Sequence, residues 1–485
     1  MGNTNAADEA ALLPEPEDSH APPPFYRTSD WWTFAVTSLL IFIGYLLTLS
    51  PDVTLDDSGE LATASMWAAV PNPPGHPFWT VLTWLFTKLV PVSTVAYQVA
   101  LASAVAAALA CGLVALMVSR GSRMMIEGIA SLKDIDRQRQ DAVCAVAGFV
   151  GATLLGFTGV VWSQAVIVQT YALSLFFLVV TLAILLRWVY APNQRRYIYW
   201  VACLFGICIT SHQLLIVAAM GLEIAIIAGE PKLGRDLLGV NCLCWLAMLC
   251  LKLSRVISLF DSVTHMVFVI FNGVGVLSLL GLVALIFKTR GLFTEWKSVL
   301  IMVGLWFAGV SFYFYLPLAS MTNPPMNWGY PRTVEGFWHV LSRGQYDKCN
   351  PADFIRDPGR MLDESFMYFS SAAEEFTPVC LLIAVVPFLF FLKMQKRERG
   401  WMIGMAGIFL CLSLLLTDLL NPTRERQTSS LVKVFFASSY VPIAIWIGCG
   451  FALAGAWLAA HYQRVQLGWV LALFTVTPLA SVVSH

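Results

Sequence analysis

Apolar runs of about twenty residues recur along this chain with few charges between them, and no other feature narrows its possible folds so far. A run of that length matches the hydrocarbon core of a bilayer, where a helix satisfies every backbone polar group within one segment. Of the 485 residues, 58% are hydrophobic and 12% charged, and the mean hydropathy is +0.70, which excludes a soluble globular domain. Zero net charge gives no sign of a nucleic-acid partner. Most of the 11 cysteines fall inside apolar runs, Cys242, Cys244 and Cys250 among them, and read as small core residues; Cys349, in a polar stretch, is the exception.

The chain opens with an acidic, proline-rich tail, residues 1–28, expected to be disordered and cytoplasmic, and it lacks the basic start of a cleaved signal peptide. The polytopic domain then runs from 29 to 485, with a first span near 31–49 that serves as a retained anchor. A short apolar run near 79–90 is partly interfacial, and further spans fit near 93–118, 142–162, 165–189, 197–211, 213–228, 237–254, 263–287, 297–318, 378–392, 401–420, 434–459 and 467–483. The expected architecture is all-α, with about 11–13 transmembrane helices. Basic residues between them, such as Arg195, Lys232, Arg235, Lys288, Arg290 and Lys393, mark the cytoplasmic side. The connections at 51–78, 319–377 and 421–433 then emerge together on the non-cytoplasmic face.

One connection is chemically dense. Asp52, Asp56, Asp57 and Glu60 place four carboxylates at a membrane boundary with no nearby Lys or Arg in sequence. Ionisable groups so placed mark a functional site unless they are solvated or partnered. The bland reading is a capped interfacial helix: Asp57 as N-cap, Glu60 three residues on, a helix over 61–69, and a stiff turn of Pro71, Pro73, Pro74 and Pro77. That accounts for two of the four acids.

These residues carry a resemblance. VTLDDSGELATAS followed by VPNPPGHPFWTVL resembles the hallmark of a multi-spanning membrane family catalogued as domain of unknown function 2723 and grouped with protein O-mannosyltransferases of the GT-C glycosyltransferase class. GVVWSQAVIVQTYALSLFF at 159–177, GICITSHQLLIV at 206–217, PPMNWGYPRTVEGFWHVLSRGQYD at 324–347 and VKVFFASSYVPIAIWIGCG at 432–450 are similar to it as well. The resemblance implies a GT-C-like fold. It also implies transfer of a sugar, mannose for this family, from a polyprenyl-phosphate donor to an acceptor hydroxyl of a protein or glycolipid on the non-cytoplasmic face, with inversion and no cofactor.

Asp57 best matches the position of the family's catalytic base, with Asp56 and Glu60 supporting it. Arg343 in LSRGQYD faces the lipid phosphate in this reading, with Arg332, Arg424, Arg426 and Lys433 as further basic candidates, although basic residues near a membrane commonly bind lipid head groups. His76, Gln169, His212, Trp328, Gln345 and Tyr346 are candidates for sugar or acceptor; an interfacial aromatic is ordinarily an anchor, and a lone His is ordinarily structural. Relatives usually have a carboxylate where Gln169 stands, and many continue into a soluble C-terminal domain where this sequence stops. No residues show metal-ligand spacing. The rival reading is a transporter or lipid translocase whose acids bind cations or protons.

Overall fold

The computed structural model describes residues 24–254, 264–346, 350–353, 356–422 and 432–461. Among them the regular structure is helical, apart from a single parallel bridge between Val70 and Asn327. The elements are α1 (Thr28–Leu47), α2 (Ser58–Trp67), α3 (Pro77–Leu89), α4 (Val95–Gly128), α5 (Arg137–Gly156), α6 (Gly159–Ala165), α7 (Tyr171–Tyr190), α8 (Arg195–Ser211) and α9 (Ala218–Gly229). They continue as α10 (Pro231–Ser254), α11 (His265–Thr289), α12 (Trp296–Val310), α13 (Tyr315–Met321), α14 (Val334–Leu341), α15 (Pro358–Leu389), α16 (Lys396–Leu410), α17 (Leu416–Leu420) and α18 (Ala437–His461).

Nine helical stretches among the described residues are long and apolar enough to cross a membrane, and ten if α5 and α6 are one span bent by 70°. The sequence led to an expectation of 11–13. The difference has local causes: α8 has 17 residues, α3 has 13, and the expected span at 213–228 is a short helix over 213–229. The stretch near 142–162 bends because α5 ends at Gly156 and Thr158 caps the start of α6, its hydroxyl accepting from the Val161 amide. The expected last span at 467–483 lies outside the described residues.

The core gathers around α4, which packs against α1, α5, α7 and α18. Small residues make these approaches possible, as in other membrane bundles. A Cβ on Gly151 of α5 would stand 2.7 Å from the Ala444 carbonyl oxygen of α18, so that crossing requires glycine. Two charges are buried within the packing: Arg123 on α4 pairs with Asp30 on α1 at 2.9 Å and with Asp141 on α5 at 2.8 Å.

The long connection expected over 319–377 is shorter than the sequence suggested. Helix α13 runs into it to Met321, α14 forms within it, and α15 begins at Pro358. Polar residues of α15's first half hid that helix; its kink falls at Thr377 (φ 62°, ψ 148°), just before Pro378.

The two ends of the bundle differ. At the far end of α7, Arg187 lies over the Phe25 ring and the Tyr190 hydroxyl donates to Glu398, while Arg195 pairs with Glu295 at 3.1 Å. Arg235 is buried and bonded to Asp236, Thr289, Gly291 and Thr294, the last of these the residue before Glu295. The basic turns therefore collect at one end. Tyr171 opens α7 at the other, separated by 20 helical residues, which span roughly 30 Å, the thickness of a hydrocarbon core.

Candidate functional site

Local structure at the Tyr171 end begins with the acidic stretch. Asp56 adopts a left-handed backbone (φ 62°), and α2 follows with Asp57 as its N-cap residue. The reciprocal capping pair expected of Asp57 and Glu60 does not form, for Asp57 makes no side-chain cap. Both acids turn instead to Asn72 in the proline-rich turn: its side-chain amide donates to Asp57 Oδ2 at 3.1 Å, and its backbone N–H donates to Glu60 Oε1. A polar tether thus replaces the cap. Burial, followed by the neighbouring Asp57 charge, pushes the Glu60 carboxyl up from its ordinary range, so Glu60 holds its proton more readily than a free side chain.

The turn ends at His76, also left-handed (φ 38°), whose Nδ1 lies 2.7 Å from the Ser211 carbonyl at the end of α8. A carbonyl only accepts, so Nδ1 carries the proton and Nε2 is left as an acceptor. Burial pushes the His76 imidazole down to about 4 and that of His212 to about 3, with the Arg343 charge lowering both further. Both rings are neutral at physiological pH. They lie 6.3 Å apart, and His212 also packs on Tyr171 at 5.0 Å and Phe435 at 5.8 Å.

These groups line one cavity of about 370 Å³. Asp57, Asn72 and His76 come from the first connection, Gln169 and Tyr171 from the start of α7, and His212 and Gln213 from the end of α8. Arg343 and Tyr346 enter from the connection after α14, and Phe435 from the segment before α18. The Arg343 guanidinium sits over the Tyr346 ring at 4.7 Å, and its backbone is left-handed (φ 55°). Its buried Nε has no hydrogen-bond partner, and Arg343 forms no ion pair, among the described residues. Strained backbone at three lining or adjacent residues is a pattern found where side chains are held for function.

The structure therefore brings together Asp57, His76, Gln169, His212, Arg343 and Tyr346 of the residues singled out in sequence. Gln169 is buried, and its carboxamide oxygen accepts from the Thr170 amide at 3.4 Å. Asp56 and Gln345 are exposed and outside the lining, and Glu60 stands behind Asn72. Trp328 lies beside Glu60 rather than in the cavity, its backbone N–H bonded to the Val70 carbonyl at 3.2 Å. Lys433 is turned to Glu374 at 2.9 Å, and Arg332 donates to Asn323. Arg424 and Arg426 lie outside the described residues. Asn72, Tyr171, Gln213 and Phe435 were missed. Asn72 was legible as the one polar side chain between Pro71 and Pro73; the others sit in apolar runs, where position in the fold alone distinguishes them.

Among the described residues no three His, Cys, Asp or Glu side chains gather as a metal would need. The cavity sets a carboxylate and a guanidinium that makes no ion pair among the described residues beside neutral hydrogen-bonding rings. Such a set has the chemistry to hold a phosphate ester and to accept a proton from a hydroxyl.

Fold and site together define a polytopic all-α membrane protein with an acid-and-arginine cavity at one end of its bundle. Residues 57–232 match the model of the Protein O-mannosyl-transferase TMEM260 N-terminal domain, which bears out the resemblance for that part of the chain. Protein O-mannosyl-transferase TMEM260 of Mus musculus is 27% identical over 152 residues, 31% of this chain and 19% of that protein, so the matched stretch is about a fifth of the relative's length. Among solved structures, the Archaeoglobus fulgidus oligosaccharyltransferase in complex with Zn and sulfate aligns over 93% of this chain and 53% of its own, with 12% identity and a TM-score of 0.40. ArnT from Cupriavidus metallidurans bound to undecaprenyl phosphate aligns over 90% and 78%, with 14% identity and a TM-score of 0.26. Both overlaps are too loose to speak for this site.

Proposed function

We propose that the chain is a membrane O-mannosyltransferase that moves a sugar from a polyprenyl-phosphate donor to a hydroxyl, of protein Ser or Thr, on the non-cytoplasmic face. The observation that carries this reading is the shared cavity of Asp57 and Arg343. The O-mannosyl-transferase relatives supply the sugar and the reaction class of this reading.

The steps follow from charge. The acceptor O–H gives its proton to the Asp57 carboxylate as its oxygen attacks the anomeric carbon. The bond from that carbon to the phosphate oxygen breaks, and the phosphate leaves on its lipid. Arg343 meets the charge that develops on it, inside a cavity where an opposite charge acts at higher strength than in water. Asn72 holds the Asp57 carboxylate in place, and His76 offers Nε2 to a sugar hydroxyl. A single displacement inverts the anomeric centre and needs no second catalytic acid.

The test supplies the full chain in liposomes with radiolabelled polyprenyl-phosphate mannose and a Ser/Thr-rich peptide. Label on the peptide hydroxyls supports the reading. Movement of the lipid across the bilayer without label on the peptide would assign the cavity to a translocase instead.

A further inference from the structure

The stretch 414–418 borders two separate spaces. Leu416 faces a pocket shared with Tyr171, His212 and Phe435, whereas Leu414, Leu415, Thr417 and Asp418 line a second cavity of about 320 Å³. Ile270 and Met361 complete its apolar wall, and Glu364 reaches it from α15.

Two carboxyl groups in such a wall need a cation beside them if they are to stay ionised. Glu364 and Asp418 are 6% and 8% exposed, and Glu364 Oε2 and Asp418 Oδ1 meet no donor among the described residues. The other Glu364 oxygen takes the Arg360 Nε at 3.4 Å, a long contact, and Arg360 also donates to the Pro422 carbonyl at 3.2 Å. The nearby hydroxyls are committed elsewhere: Ser365 donates to the Met361 carbonyl and Thr417 to that of Ser413. Among the described residues, one divided guanidinium faces two buried carboxylates, which leaves the cavity short of a cation.

We propose that this cavity binds the primary ammonium head of an aminophospholipid. A hard divalent cation takes six or more oxygens, and only two free ones are offered here on a largely apolar wall. An ammonium brings three N–H donors, and the body attached to it covers the apolar lining. The volume is that of a small-molecule site. The source is set by surroundings. Leu362, Phe366 and Phe369, beside the cavity on α15, are 66%, 76% and 48% exposed, as a face toward lipid is. Glu364 lies in the second turn of α15 and Asp418 two residues before α17 ends at Leu420, so both stand near helix ends, where a spanning helix meets the head groups. Basic pockets at such depth take anionic lipids; this one inverts the sign.

The test is native mass spectrometry of the full-length protein with phosphatidylethanolamine, phosphatidylcholine and phosphatidylglycerol of identical chains. Retention of phosphatidylethanolamine about tenfold above the other two is expected, because the choline head lacks N–H donors and the glycerol head lacks the cation. The double variant Glu364→Gln, Asp418→Asn should lose the preference. Equal retention of the three lipids by the wild type overturns the proposal whether or not the variant folds, and so does a preference that survives in a folded variant. Calcium or magnesium chloride, added without lipid, should leave the melting temperature unchanged; a rise equal to that given by phosphatidylethanolamine would assign the site to an inorganic cation.

Discussion

Asn72 donates its side-chain amide to Asp57 across 15 residues of chain, and its backbone N–H to Glu60, so one residue fixes two of the four acids. Replacing it with Ala removes a hydrogen bond to a charged group, worth about 1.5–3 kcal/mol where it is retained. Asn72→Ala should lower sugar transfer about tenfold or more with little change in lipid-donor binding, because the carboxylate is left mobile. Parallel measurement of kcat and KM decides; a rise in KM alone would place Asn72 in binding.

Arg343 makes the opposite kind of prediction. A planar fork suits a phosphate, and Lys at this place offers a point charge that cannot reproduce it. Arg343→Lys should slow transfer about tenfold and Arg343→Ala by about 10²-fold, the scale of losing one donor to developing charge. Transfer assays at fixed donor concentration, with circular dichroism to confirm folding, test both. Wild-type rates in Arg343→Ala would move the phosphate elsewhere.

Acid should destabilise the cavity. The folded values of about 4 for His76 and about 3 for His212 lie below the ordinary 6.5. As pH falls below about 6.5 the unfolded chain takes up protons that the folded one refuses, so stability is full near neutrality and declines toward about 4. The melting temperature should fall between pH 7 and 5, and less steeply in His76→Gln. A pH-independent melting temperature over that interval would contradict the buried neutral pair.

Gly75 occupies φ +85°, and a Cβ there would stand 2.7 Å from Leu316 Cδ2. Both the conformation and the space forbid a side chain, so Gly75→Ala should destabilise by more than about 1 kcal/mol. Thermal unfolding measures it. Leu316→Ala in the same chain should restore part of the loss by opening the space, and leave the part due to φ.

Much of this was legible beforehand, unevenly. Apolar length marked the spans because the bilayer makes each segment satisfy its own backbone, and so the stretches around α1, α4, α7 and α18 fell near where expected. The approach of Asp57 to Arg343 was legible only through the resemblance, since 286 residues of sequence separate positions that the bundle folds into one cavity. The Asp57 and Glu60 cap failed for a physical reason: a capping motif describes local bonds, and Asn72 offered both carboxylates better donors from across the turn. The Arg123 and Asp30 pair was illegible because nothing local shows that two charged residues 93 positions apart will be buried together. The first half of α15 was read as loop because its polar face meets other helices, with the Tyr368 hydroxyl bonded to Ser439 and that of Tyr440 to Ser371.

The most direct measurement is single-turnover transfer of labelled mannose from polyprenyl phosphate by wild type and Asp57→Asn, each preloaded with donor. The amide keeps the size of the side chain and an oxygen for Asn72, and removes the base. A fall of about 10²- to 10⁴-fold in the transfer rate with donor binding unchanged is the predicted result. A rate within threefold of wild type would contradict it.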